Sequence, residues 1–207
     1  MHRSIVYTHY MTQGFEMITA AAALSAEAHK EQTRRELNEP YSIHPARVAA
    51  MAAKIGCSYE YICAAYLHDV PEDTKFPIET IRVMFGDKVY TFVRVLTKWW
   101  GSDTSLTPLA VALNKELYYK QILLTPGAPT LKVLDRIDNL RDFERVARMG
   151  VAGGHARAAK YVVKTKEEFP PLLDVVTSEW VRKEYTNALN ALELAVTVFD
   201  NSPRELA

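Results

Sequence analysis

Cysteine occurs only at Cys57 and Cys63, and glycine at eight positions in 207 residues. Two thiols cannot build a four-cysteine zinc cage or a disulfide framework, and they suit a reducing compartment. Sparse glycine, with no alternating β-branched runs between hairpin dipeptides, argues against a β-rich fold. No apolar run reaches the roughly 18 residues that a membrane-spanning helix needs. Net charge is also missing: 25 basic residues face 25 acidic ones. Such a balance leaves no field to hold DNA, RNA or an anionic membrane non-specifically, although a local basic pocket stays compatible with it. The alanine-rich stretch from Met17 to Ala28 has Gln13 and Glu16 where a secretory leader carries basic residues. Glu27, His29 and Lys30 extend it as an amphipathic helix instead, so a soluble cytoplasmic protein is expected.

What the chain does have is apolar content, 48%, enough to fill one substantial core. A single domain over 1–207 is expected, and the hydrophobic period is helical nearly throughout, which reads as all-α. The first helix is expected from about Gln13 to Arg34. The next starts near Pro45, whose missing N–H is unneeded there, and ends at Gly56. A third, about Tyr59 to Asp69, should stop where Pro71 biases Val70 away from the α region, so that Glu72 and Asp73 begin a separate turn. Further helices are expected at Ile78 to Phe85, Lys88 to Lys98, Leu109 to Leu124, Thr130 to Met149, His155 to Glu168 and Leu172 to Phe199. Trp99 to Pro108 and Thr125 to Pro129 read as loops. Leu172, Val176, Trp180, Leu189, Leu192 and Val196 suit core packing or an oligomer contact.

The densest chemistry is His68-Asp69-Val70-Pro71-Glu72-Asp73-Thr74, one imidazole and three carboxylates behind an apolar helix. A second cluster, Lys132-Val133-Leu134-Asp135-Arg136-Ile137-Asp138-Asn139, places Asp135 and Asn139 four apart on one helical face beside core residues. Taken alone, His68-Asp69 reads as a helix cap and Asp135 as the partner of Lys132 or Arg136. With His44 at a helix start, a two-His, two-Asp set converging from three helices is the simpler account. Zinc, manganese and ferrous ions accept that mixture of imidazole and carboxylate.

Taken in order, His29-Lys30-Glu31-Gln32-Thr33-Arg34-Arg35, Glu39-Pro40-Tyr41-Ser42-Ile43-His44-Pro45, HDVPEDT, Leu96-Thr97-Lys98 and LKVLDRIDNLRD resemble the hydrolase domain of the RelA/SpoT family. The chain is most similar to the small stand-alone alarmone hydrolases, the metazoan SpoT homologue-like proteins. The match runs from about Ala20 to Glu168. It implies an HD-domain helical bundle, with a helical tail at about 170–201 as an additional C-terminal helix and no synthetase module. It also implies one divalent metal, usually manganese, held by His44, His68, Asp69 and Asp135. Glu72 and Asp73 match the pair that activates water. Asn139 matches a substrate-facing residue, Arg35 (or Arg34, if the turn differs by a residue) a phosphate-handling arginine, and Arg157 and Tyr161 later substrate contacts. Three departures bear on the pocket: Glu36 where a lysine is common, Pro71 where a Val or Leu is usual, and Leu134 where a small Ala precedes the metal aspartate.

The chemistry is coherent with that resemblance. A divalent ion lowers the pKa of bound water and offsets phosphoryl charge, Glu72 or Asp73 can take the proton, and arginines or lysines can balance the leaving group. The expected reaction is removal of the 3′-diphosphate of guanosine alarmones, ppGpp to GDP plus pyrophosphate. Adenosine alarmones or NADPH are alternative substrates, and a non-catalytic HD-fold binding module ranks last. Tyr41, Trp99 and Trp100 read as packing residues before base-stacking ones, His29 as packing near the site, and His2, His9 and His155 as surface or core histidines.

Overall fold

The computed structural model describes residues 2–200 except 102 and 152, with side chains described over 12–198; the side chains of His2 and His9 fall outside that range. The described residues form α1 (His2–Ala28), β1 (Thr33–Arg34), β2 (Glu39–Pro40), α2 (Ile43–Lys54), α3 (Tyr59–Leu67), α4 (Val70–Asp73), α5 (Ile78–Leu96), α6 (Pro108–Leu124), α7 (Ala128–Arg148), α8 (Gly154–Glu168), α9 (Pro170–Val175) and α10 (Glu179–Asp200). This is the all-α fold that the hydrophobic period predicts. Among the described residues the one sheet is a two-residue antiparallel pair, Thr33 with Pro40 and Arg34 with Glu39.

Helix α7 organises the molecule. It packs against α10, α8, α2 and α9, while α3 packs against α1, α2 and α5. Leu131, Val133, Leu134, Ile137 and Leu140 of α7 are wholly buried. The same helix also buries Lys132, Asp135, Arg136, Asp138 and Asp142. Five buried charges on one helix are costly unless paired, and their pairing forms the site described below. Leu172, Val176 and Leu192 are fully buried and Trp180, Leu189 and Val196 pack on the core, so this set serves the interior.

The boundaries depart from expectation in several places, for tertiary reasons in two of them and for local backbone reasons in the others. The first helix ends at Ala28 rather than Arg34, because the next residues turn back to make distant contacts: Gln32 donates to the Asp73 carbonyl (2.6 Å) and Arg34 to Asp142 (2.8 Å). These bonds outweigh local propensity. Val70 begins a short helix despite Pro71, which sits at one of its first two positions, where no N–H is required. The expected helix from Leu172 is divided: Arg182 donates to the carbonyls of Val176 (2.6 Å) and Asp174 (3.1 Å), satisfying the end of α9 before α10 starts. The break anticipated between Phe85 and Lys88 is a kink inside α5 at Gly86, with φ 81° and ψ 174°.

Candidate active site

The Tyr41-Ser42-Ile43-His44 segment leaves the hairpin and enters α2, so His44 projects inward from the first turn and is 1% exposed. Helix α3 stops at Leu67, which leaves His68 and Asp69 at the junction with α4. Asp135 comes from the second turn of α7. His44 Nε2 lies 3.2 Å from Asp135 Oδ1 and 3.4 Å from Asp69 Oδ2. His68 Nε2 lies 3.3 Å from Asp69 Oδ1 and 3.7 Å from Asp135 Oδ1. Ligand atoms bound at about 2.1 Å to one ion stand about 3.0–3.4 Å apart in octahedral or tetrahedral arrangement, so the three shorter separations are of the right size for a shared cation and the fourth is slightly long.

The ring orientations agree. His68 Nδ1–H donates to the Ala65 carbonyl (2.8 Å), and His44 Nδ1–H donates to the Asp138 carboxylate (2.6 Å). Both Nε2 atoms are thereby aimed at the cluster, and His68 Nε2 is buried with no hydrogen-bond partner. An orphaned buried nitrogen facing two carboxylates is what a metal ligand looks like without its metal, so the donor set fits a divalent transition metal. Burial opposes charge on all four groups, yet their mutual attraction prevails. Asp69 and Asp135 are held below the usual carboxylate range by the histidines and, for Asp135, Lys132, while both histidines are raised by the aspartates.

Next to this set the Tyr41 hydroxyl bridges two carboxylates. The Tyr41 hydroxyl lies 2.9 Å from Asp69 Oδ2 and 2.8 Å from Asp73 Oδ2, with one hydrogen for two carboxylates. Burial and the charge of Asp69 raise Asp73 above its ordinary value. Glu72 is differently placed: it accepts from the Lys98 backbone N–H (2.9 Å) and from Lys98 Nζ (3.1 Å). Lys132 Nζ donates to Asp135 Oδ2 (2.8 Å), so the ordinary ion pair expected of Asp135 coexists with its place among the histidines.

These residues open on a cleft of about 190 Å³ whose walls include Lys98, Lys132, Arg136, Asn139, Tyr161 and Lys164. A second cavity of about 330 Å³ adjoins it through the shared walls Tyr41 and Asn139, and is lined by Arg34, Arg35, Glu36, Leu37, Phe143 and Arg157 among others. Asn139 joins the two: its amide N–H donates to Asp135 Oδ1 (2.5 Å) and its carbonyl accepts from Arg34 Nη2 (2.6 Å). Thus Arg34, not Arg35, touches Asn139; Arg35 is exposed on the cavity rim. Arg157 pairs with Glu36 (2.6 Å) across the cavity. Tyr161 stacks on Phe143 (centroids 4.2 Å apart) with the Arg136 guanidinium 4.4 Å over its ring. His29 is buried against Tyr41 (4.7 Å) and donates to Gln32, outside the cluster of His44, His68, Asp69 and Asp135. His155 contacts the Val196 carbonyl, and Trp100 packs on Tyr118.

Sequence reasoning missed Asp138 and Arg47. Asp138 is 1% exposed and accepts from both His44 and Arg47. The available signal was the spacing of Asp135, Asp138 and Asp142, at i, i+3 and i+7 along one helix face, opposite Arg47 three residues after His44.

Comparisons with known proteins find likenesses of sequence and of fold. A family model described as HD domain matches residues 21–153. A guanosine-3′,5′-bis(diphosphate) 3′-pyrophosphohydrolase of Aquifex aeolicus is 39% identical over 137 residues, 65% of this chain and 18% of that protein. A bifunctional (p)ppGpp synthase/hydrolase SpoT of Escherichia coli is 33% identical over 94 residues, 45% of this chain and 13% of the relative. The chain thus spans less than a fifth of the length of either. A solved structure of a metazoan ortholog of SpoT that hydrolyses ppGpp and plays a role in starvation responses superposes with a TM-score of 0.69 at 25% identity, covering 84% of this chain and 94% of that one.

Proposed function

The chain belongs to the HD-domain family, and on that premise we propose that it is a metal-dependent phosphohydrolase removing the 3′-diphosphate of guanosine alarmones, ppGpp to GDP plus pyrophosphate. The observation that carries this reading is the convergence of His44, His68, Asp69 and Asp135 with His68 Nε2 buried and unpartnered. These four side chains would hold one divalent ion, manganese in our reading. When bound, such an ion acidifies coordinated water and offsets phosphoryl charge.

The remaining chemistry belongs to the chain. Asp73, raised toward neutrality and within reach of Tyr41 and Asp69, takes the proton of the attacking water at its carboxylate. Glu72 fixes Lys98 at the cleft wall, where with Lys132, Arg136 and Lys164 it balances the charge of the departing diphosphate. The adjoining cavity, with Leu37 and Phe143 beside Arg34, Arg35 and Arg157, suits a nucleoside carrying further phosphate. Asn139 then spans nucleoside and metal ligand. Two free cysteines and no described helix long and apolar enough to cross a membrane are compatible with a cytoplasmic setting.

The test is product analysis. Purified protein with manganese is incubated separately with ppGpp, its adenosine counterpart, NADPH and nucleoside triphosphates. Pyrophosphate released from ppGpp is the expected result. Inorganic phosphate from NADPH, or pyrophosphate from the adenosine compound alone, would replace the guanosine substrate, and binding without any product would make the chain a non-catalytic module.

A further inference from the structure

The donors around the metal ligands close into a ring. His44 Nδ1–H donates to Asp138 Oδ2 (2.6 Å). Arg47 grips Asp138 through Nε (2.6 Å) and Nη2 (2.9 Å), and Nη2 also reaches both oxygens of Asp142 (2.8 Å each). Asp142 accepts from Arg34 Nε (2.8 Å), Arg34 Nη2 donates to Asn139, and Asn139 donates to Asp135 Oδ1. Asp135 Oδ1 lies 3.2 Å from His44 Nε2, where the path began. An unbroken run of hydrogen bonds from His44 Nδ1–H to Asp135 Oδ1 therefore joins two of these side chains on different helices.

We propose that Asp138, held by Arg47, is a positioning residue for His44, and that the Arg47–Asp138 pair sets how tightly the site binds its metal. The inference rests on the metal reading above. Two features set the pair apart from a generic buried ion pair. The Asp138 carboxylate is 1% exposed, too enclosed to be placed by solvent, and it bonds the ring nitrogen opposite the ligating one. That contact selects the Nδ1–H tautomer, turns the Nε2 lone pair toward Asp69 and Asp135, and raises the basicity of the ring. Left alone, the carboxylate could rotate about χ2 and drop the histidine. The two-point grip of a planar guanidinium prevents that rotation, which a lysine, a single point charge, does less well. Arg47 is one-third exposed, so its outer half can be replaced without opening the core.

The experiment measures manganese binding to the full-length, metal-free chain by titration calorimetry, with no substrate present, alongside its thermal midpoint. Arg47→Met is expected to weaken manganese binding about 10- to 100-fold, the usual range for loss of a group that orients a ligand, and Arg47→Lys to recover part of it. Arg145→Met, which loses contacts to Glu39 and Asp142 but none to Asp138, is expected to bind as the unaltered chain does. A lower thermal midpoint for Arg47→Met with unchanged manganese affinity would make the pair merely structural and overturn the proposal. If Arg47→Met does not fold, Arg47→Lys and Asp138→Asn decide by the same criterion. Failure of the unaltered chain to bind manganese would remove the metal reading and this inference together, whereas equal binding across all variants removes this inference alone.

Discussion

Glu72 and Asp73 are neighbours in sequence with different surroundings. Asp73 shares the Tyr41 hydroxyl with Asp69, while both oxygens of Glu72 are taken by Lys98. A base must have a free lone pair and a pKa drawn toward the working pH, and Asp73 meets both conditions. Steady-state kinetics should therefore show Asp73→Asn losing about 10²- to 10⁴-fold in kcat. Glu72→Gln, which keeps an acceptor for the Lys98 N–H, should lose about tenfold or less. The reverse order would exchange their roles. Asp135 has a different weight. It faces Lys132, two histidines and Asn139 at once, so its removal leaves several charges unpaired and harms binding and folding together.

At the scale of the element, the kink at Gly86 is the clearest case of sequence dictating geometry. A φ of 81° with ψ of 174° belongs to a region open essentially to glycine. A Cβ there would meet nothing within 4 Å, so the cost of Gly86→Ala is backbone strain alone. Urea denaturation should show a loss of about 1–3 kcal/mol with an unchanged m-value; no loss would mean that α5 straightens at no expense. Helices bounded by local proline or glycine signals, such as α2, α3, α6 and α7, were legible to within a few residues because those breakers act on the backbone where they stand. The end of α1 and the division between α9 and α10 were not. Both depend on side chains reaching across the fold, Arg34 to Asp142 and Arg182 to the α9 carbonyls, and such contacts leave no local trace. Motif order anticipated that His44, His68, Asp69 and Asp135 come together, whereas the place of Asp138 was not legible: a buried aspartate on a charged helix reads as one more surface residue until its partner on α2 is known.

For the molecule as a whole, the cluster gives the metal-free protein a characteristic pH response. Against the penalty of burial, neighbouring aspartates raise His44 and His68 above 6.5. Their contribution to stability is complete below that value and drains as pH rises through their folded pKa. Asp69, Asp135 and Asp138, also against burial, are held below 3.8 by the histidines and by Lys132 or Arg47, so their contribution is present above 3.8 and lost as pH falls further. Through this cluster, metal-free protein should be most stable between about pH 4 and about pH 6.5. Manganese, which needs unprotonated imidazoles, should move that optimum upward. Thermal scans with and without the ion from about pH 4 to about pH 9 check both signs; a metal-free midpoint still climbing above pH 7 would contradict the histidine assignment.

The circuit through Arg34, His44, Arg47 and residues 135–142 ties together stretches about a hundred positions apart. During synthesis the early histidines therefore wait, without carboxylate partners from α7 and without the apolar wall that α7 supplies, until the ribosome has delivered the second half. Copies ended before α7 would carry His44, His68 and Asp69 but lack Asp135 and the buried face of α7, so limited proteolysis is expected to cut them faster than the whole chain.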